Sequence, residues 1–327
     1  MKYVNSLNIA LDKILSENKD AFLIGEDIAD PYGGAFKVTK NLTKKHKKKV
    51  FSTPISEAAI TGVASGLAIK GHKVILELMF GDFLALAIDQ IHNGISKTIK
   101  LKKDFNFGSL TIRTPMGGYR GYGCTHSQST ETILMNTPNL NIYSPNIFIN
   151  PGDLLIKAVN KQKLSLFVEH KLSYSKDVKV NNFKDLDLII EEYENFCKVK
   201  LFDSDPKFTI ITYGFVSQLA LESIYNFFIN HEIAGEIIVF SKIKSIDTNF
   251  TEIIQSNSVI TLEEGVAENG WGKLISSDIY KKLLNKLEKP IVNIGSKNTI
   301  LPSSLKKELE ILPNIKQIEE KIGGILK

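Results

Sequence analysis

The chain has 327 residues, 43% of them apolar and 24% charged, with a net charge of +5. That length predicts about two domains with full cores, and the ordinary balance of apolar and charged residues excludes a disordered chain. No apolar run reaches the roughly 18 residues that a membrane-spanning helix needs.

The N-terminal segment MKYVNSLNIALDKILSENKD carries acids and no cleavage-site pattern, so it reads as an amphipathic helix over 3–18 rather than a signal peptide. Apolar runs then alternate with helical patterns, the signature of parallel sheets covered on both faces by helices. Strands are predicted at 21–25, 73–80, 109–113, 140–144 and 165–169, with helices over 57–70, 82–98 and 151–160. The stretch from Lys176 to Lys207 is rich in Lys, Asp, Glu and Asn and reads as a linker. Beyond it come strands at 208–214, 236–240, 258–264 and 290–295, helices over 216–230 and 270–287, and a helix after Pro302. The expected division is a first domain over 1–178, a linker over 179–206 and a smaller α/β domain over 207–327.

Several polar signatures follow an apolar strand or open a helix: Gly25-Glu26-Asp27, Ser56-Glu57, the Phe80–Phe83 segment and the run from Arg113 to His126. In open α/β sheets ligands gather at the carboxyl edge of the strands, so these four segments are expected on one rim. Thr53, Pro54 and Ser56 are helix-start residues, and behind them Ala58, Ala59, Gly62, Ala64, Gly66 and Ala68 allow another backbone to approach closely. Glu57 thus stands at the first turn of a small-residue helix, where it could serve only to complement the helix dipole. Beside an aromatic shelf the same carboxylate suits a flat nitrogen heterocycle, sharing a proton with a ring nitrogen while the ring stacks. Phe83 and Met79 would form that shelf, or else pack in the core. His126 lies in the glycine-rich loop GGYRGYGCTHSQS, a setting typical of functional histidines, whereas His46, His72, His92, His170 and His231 read as structural or surface residues.

Cys124 and Cys197 lie far apart without metal-ligand spacing, which fits a reducing cytoplasm, and no metal-binding residues are predicted. The lysine runs at 44–49 and 100–103 lack interleaved aromatics, so they read as solvated faces and no nucleic-acid partner is expected. GGYRGYG is not a phosphate loop of the Walker type.

Four segments, GEDIADPYGGAFKVTK (25–40), TPISEAAITGVASGLAIKG (53–71), ELMFGDFLALAIDQI (77–91) and IRTPMGGYRGYGCTHSQS (112–129), resemble the beta subunits of thiamine diphosphate-dependent 2-oxoacid dehydrogenases, the pyruvate, branched-chain and acetoin enzymes, in order and in near spacing. The resemblance covers essentially the whole chain and weakens after about Ser175. It implies a transketolase-type pyrimidine-binding domain, a parallel sheet with helices on both faces, followed by a transketolase C-terminal domain. It also implies that Glu57 bonds the cofactor's pyrimidine, that Phe83 stacks on it beside Met79, and that His126 handles protons at the substrate and lipoyl side. The diphosphate and Mg²⁺ ligands would come from a separate alpha subunit, in an α2β2 heterotetramer, with a lipoyl acyltransferase as a further partner. The activity implied is decarboxylation of a 2-oxo acid, pyruvate foremost, with acyl transfer to lipoamide. Two alternatives are the C-terminal half of a split transketolase and a non-catalytic structural subunit. The HSQS loop argues against the first, and retention of Glu57, Phe83 and His126 together argues against the second. The chain departs from the resembling family at Lys161, Gln162, Lys163 and Leu164, which leaves a structural monovalent cation in question. It departs again in SKIKSID at 241–247, where only Asp247 is kept, and this weakens the expectation of docking to the acyltransferase.

Overall fold

The computed structural model describes residues 1–101, 106–161 and 163–327, so Lys102 and Lys103 of the second lysine run, and Gln162, lie outside the described residues. The chain divides into two compact units. The first comprises Met1–Gly117, Gln128–Pro145 and Asn150–Val178, and the second Gly118–Ser127, Asn146–Ile149 and Lys179–Lys327.

In the first unit the order is α1 (Tyr3–Glu17), β1 (Ala21–Glu26), α2 (Leu42–Lys45), β2 (Val50–Thr53), α3 (Glu57–Ile69), β3 (Lys73–Glu77), α4 (Leu84–Asp89), α5 (Ser96–Leu101), β4 (Ser109–Met116), β5 (Asn141–Tyr143), α6 (Pro151–Lys161) and β6 (Leu164–His170). The strands form one sheet in the order β2-β1-β3-β4-β6-β5, every pair parallel. Burial on both faces explains why the central strands read as continuous apolar runs instead of alternating ones. In β4 every residue is buried. Helix α1 turns Leu7, Leu11, Ile14 and Leu15 into the core.

The expected helix over 82–98 is broken into α4, a wider π-helical segment at Gln90–Ile95, and α5. Short β2 had no counterpart in the predicted elements, because VFST carries only one buried residue at the sheet edge. Within the lysine run at 44–49, Lys45 pairs with Asp12 at 2.6 Å, and His46 contacts the same carboxylate at 2.7 Å. Lys49 donates to the carbonyl oxygens of Leu15 and Asn18 and so docks on the end of α1, while Lys44, Lys45, Lys47 and Lys48 are exposed, as a solvated face requires.

The second unit contains a small antiparallel pair, β7 (Asn182–Phe183) with β8 (Leu186–Asp187), and a six-stranded sheet. Its members are β9 (Ile189–Glu192), β10 (Phe196–Lys200), β11 (Phe208–Tyr213), β12 (Gly235–Phe240), β13 (Val259–Val266) and β14 (Val292–Ser296), in the order β14-β13-β11-β12-β10-β9. Its helices are α7 (Val216–His231), α8 (Trp271–Leu283), α9 (Leu305–Leu309) and α10 (Ile315–Ile325). The expected linker over 179–206 is therefore corrected: β9 and β10 add to the second sheet, with β10 antiparallel to both β9 and β12. The physical reason is that β10 alternates strictly. Cys197 and Val199 enter the apolar core, while Lys198 and Lys200, whose charges suggested a solvated segment, are buried on the other face. Lys198 lies 3.6 Å from Glu191 and 3.9 Å from Glu236.

Candidate active site

Parallel pairing of β1 with β2 and β3 brings Glu26 opposite Thr53 and Gly25 opposite Glu77, so the segments that follow these strands leave from one carboxyl edge. Glu57 is the first residue of α3 and only 5% exposed. Ser56 occupies the N-cap position, yet its side chain makes no cap hydrogen bond. The Glu26 carboxylate stands near the backbone amides of Ser56 and Met79, which favour its charged form. One carboxylate thus lies between the start of α3 and the segment that follows β3.

In the sequence Glu26 is only the middle residue of Gly25-Glu26-Asp27; in the structure it is central. It is 1% exposed, and its Oε1 finds no hydrogen-bond partner. Burial, reinforced by the charge of Glu57, pushes its carboxyl up to about 7 despite the two amides that favour the charged form. A buried oxygen left unsatisfied next to a second carboxylate is costly in a folded chain unless something polar meets it, and such pairs concentrate at functional sites.

Met79 and Phe83 are both half-buried on the segment leaving β3. Phe83 donates its N–H to the carbonyl of Phe80, and the two rings meet edge to face at 6.1 Å. Phe80 in turn packs on Phe36, whose ring stacks on Tyr174 at 5.0 Å. The shelf is held from behind: a Cβ on Gly81 would fall 2.1 Å from Met116, and Gly81's carbonyl accepts the Thr130 hydroxyl. Asp82 accepts both the backbone and the side-chain amide of Gln128.

Beneath this edge lies a charged layer that sequence reading did not single out. Arg113 donates to Glu77 at 2.6 Å and to Glu169 at 2.8 Å, its Nε forms an ion pair with Glu169 at 2.7 Å, and the Tyr174 hydroxyl donates to Glu169 at 2.7 Å. All four side chains are buried. Burial opposes the guanidinium charge, but the Glu169 and Glu77 carboxylates more than restore it and hold Arg113 protonated. Burial pushes the Glu77 carboxyl up, only partly countered by Arg113.

The loop that carries His126 is assigned to the second unit, apart from the other expected site residues. Its backbone turns through positive φ at Tyr119, Gly121 and Gly123. His126 is half-buried, donates its N–H to the carbonyl of Gly123, and has Nδ1 3.0 Å from the Thr125 hydroxyl. The glycine-rich amides are turned to the protein's own carboxylates: Gly118 N–H donates to Glu264 and Gly121 N–H to Glu308, both at 2.7 Å. Of the four expected segments, the structure thus brings Glu26, Glu57 and the Met79–Phe83 run to one edge, and it packs the end of the fourth on other elements.

The histidines expected to be structural have such settings: His46 on Asp12, His72 edge to face on Phe22, His92 on Thr137, His170 accepting the Leu172 N–H, and His231 against Phe227. Cys124 is exposed; Cys197 is buried, and that burial pushes its thiol up to about 12. Asp247, the retained residue of the 241–247 segment, accepts the N–H of Asn249 and caps the turn that follows. Among the described residues no group of three or more His, Cys, Asp or Glu could hold a metal ion, and no helix is long and apolar enough to cross a membrane.

Residues 1–176 match the family described as "Transketolase, pyrimidine binding domain", and residues 198–318 match "Transketolase, C-terminal domain". The chain is 30% identical over 327 residues to the pyruvate dehydrogenase E1 component subunit beta of Cyanidium caldarium, covering 98% of this chain and 96% of that protein. It is 29% identical over 307 residues to the mitochondrial 2-oxoisovalerate dehydrogenase subunit beta of Dictyostelium discoideum, covering 92% and 80%. A solved split-gene transketolase, described as an inactive beta4 tetramer, superposes with a TM-score of 0.72 at 18% identity, over 100% of this chain and 98% of that one. That likeness shows a shared fold; the curated relatives at higher identity are dehydrogenase beta subunits.

Proposed function

We propose that this chain, which belongs to the transketolase-like family of 2-oxoacid dehydrogenase beta subunits, is the pyrimidine-binding half of a thiamine diphosphate enzyme that decarboxylates a 2-oxo acid, pyruvate foremost, and transfers the acyl group to lipoamide. The observation that carries this reading is the pairing of Glu57 at the mouth of α3 with Glu26, joined through Ser56 and Met79 to the Phe83 shelf. An aminopyrimidine fits these residues: it offers a ring nitrogen to a buried carboxylate and a flat face to a half-buried aromatic, with Met79 beside it. Bound thiamine diphosphate supplies the reactive carbon and the electron sink that decarboxylation needs.

Glu57 holds or returns one proton at its carboxylate, a task for which a positioned acid/base is required. Glu26, neutral or charged near pH 7, sets the field in which that exchange takes place. Phe83 and Met79 orient the ring and exclude water from the carboxylate. His126 moves a proton on the substrate side during acyl transfer. The diphosphate and Mg²⁺ are assigned to an alpha subunit, in an α2β2 heterotetramer, with a lipoyl acyltransferase as the acyl acceptor's carrier. Pyrimidine binding is assigned to 1–178, with a C-terminal domain over 179–327 that includes β9 and β10. The free cysteines support a reducing, cytoplasmic setting.

The test is reconstitution. The full chain is mixed with its co-purified partner, identified by mass spectrometry, and assayed with thiamine diphosphate, Mg²⁺, a set of 2-oxo acids and a lipoyl domain. Turnover should require both chains. Tight Mg²⁺-dependent cofactor binding by this chain alone, or activity on ketose phosphates and not on 2-oxo acids, overturns the reading.

A further inference from the structure

We propose that Glu264 and Glu308 are positioning residues for His126, two buried carboxylates that clamp the glycine-rich loop by its backbone and fix where the imidazole stands. The inference rests on the reading of His126 as the group that serves acyl transfer.

The loop Gly118–Ser127 cannot hold itself. It has no regular secondary structure, its glycines are conformationally permissive, and Tyr119 sits in the left-handed region. What fixes it are contacts to elements remote in sequence. Gly118 N–H donates to Oε1 of Glu264 on β13, and Gly121 N–H to Oε2 of Glu308 on α9. Between these amides the Tyr119 hydroxyl donates to the carbonyl of Pro313 at 2.9 Å, while its ring packs on Phe215. Burial, and then the charges of Glu264 and Glu308, raise the Tyr119 phenol far above its ordinary value, so it stays a donor. A Cβ on Gly121 would lie 3.1 Å from the Ser303 carbonyl and 3.2 Å from the Leu305 amide, which means backbone meets backbone there.

Glu308 is fully buried and Glu264 is 6% exposed. Hydrogen bonds from amides to buried carboxylates are short and roughly twice as strong as neutral ones, and successive loop amides make a natural seat for an anion. Here the anion is the protein's own. The third buried carboxylate nearby, Glu263, accepts the N–H groups of Trp271 and Gly272 at the start of α8. The clamp is therefore made by the residue next to it and by a second one from α9.

The test uses the full chain assembled with its alpha partner. Glu308→Ala should slow acyl transfer to a lipoyl domain by about 10- to 100-fold, the scale of a misplaced catalytic group, while C2 proton exchange of bound thiamine diphosphate stays near wild type. Glu308→Gln, whose amide oxygen still accepts the Gly121 N–H, should restore most of the transfer. Adding Glu308→Ala to His126→Ala should cost nothing further, because both changes remove one function. Independently of activity, hydrogen exchange on the full chain should show the Gly121 amide losing protection in Glu308→Ala and the Gly118 amide in Glu264→Ala or, should that variant fold poorly, weakening in Glu264→Gln. Normal transfer by Glu308→Ala beside impaired His126→Ala overturns the clamp alone, as do unchanged amide protection or additive losses. Normal transfer by His126→Ala overturns the reading of that histidine and the clamp with it.

Discussion

The carboxylates at the edge of the first sheet and those around the His126 loop are similarly buried but are put to different uses. Glu26 has another acid beside it, two amides, and one oxygen with no partner; its carboxyl is pushed up to about 7. Glu264 and Glu308 each accept one N–H of the loop, and Glu308, like Glu26, keeps one buried oxygen without a hydrogen-bond partner. The first arrangement keeps a proton within reach of neutral pH, which is useful where protons must move. The second spends its carboxylates on geometry. Side-chain identity alone does not separate the two uses; what separates them is that Glu26 stands beside the charge of Glu57, whereas Glu264 and Glu308 hold the backbone of a loop.

The comparison is broken most directly at Glu57. Glu57→Gln should retain the fold and lower C2 exchange and turnover by about 10²- to 10⁴-fold, the usual contribution of an essential acid/base. Near-normal turnover in a folded complex would return Glu57 to the role of a residue that complements the dipole of α3. His126→Ala should differ in kind, with exchange close to wild type and acyl transfer reduced by about 10²-fold or more. Equal loss of exchange in both variants would mean that the two regions do not divide the chemistry.

Glu57 was legible because helix-start residues and a small-residue pattern mark its position, and the resemblance added Phe83, Met79 and His126. Glu26 was visible only as an acid closing an apolar strand, and nothing local announces that Ser56 and Met79 will turn their amides toward it. Glu264 and Glu308 reach the loop across 146 and 187 residues, a separation over which periodicity carries no information. The parallel first sheet followed from apolar runs buried on both faces. Strands β9 and β10 did not, since a strand whose lysines are buried against Glu191 and Glu236 has the composition of a solvated linker. The Arg113, Glu77 and Glu169 layer was hidden for the same reason: three charges on three strands reveal themselves as a network only once the register is known.

A smaller effect sharpens the geometric side. Gly121 has φ +68°, and an added Cβ would press on the Ser303 carbonyl and the Leu305 amide. Gly121→Ala should therefore destabilise the protein by about 1–2 kcal/mol in a denaturant titration, the cost of a left-handed residue with little room to relax. It should also slow acyl transfer more than C2 exchange. A variant as stable as wild type would show that the loop adapts freely, and the claim that its backbone is clamped would fall.

A further effect concerns Glu26 and is read as a pH dependence. Its carboxyl has an ordinary value of 4.5 in the unfolded chain and about 7 in the folded one, so between these limits the folded state holds the proton more tightly. Stability from this group is therefore complete below the lower value, declines as pH rises through the window, and is gone above the upper one. Gln cannot ionise, and Glu26→Gln removes the decline. The Tm of the variant minus that of wild type should rise between about pH 5 and pH 8 and level off beyond, by a few degrees at most in a chain of this size. Subtracting the two curves cancels the other titrating groups, apart from Glu57 and, to a smaller extent, Asp27, whose charges help to raise Glu26. The difference should consequently shrink when both proteins also carry Glu57→Gln. A flat difference curve would mean that the buried oxygen of Glu26 is solvated or paired in solution, and the contrast with the amide-bound Glu264 and Glu308 would disappear.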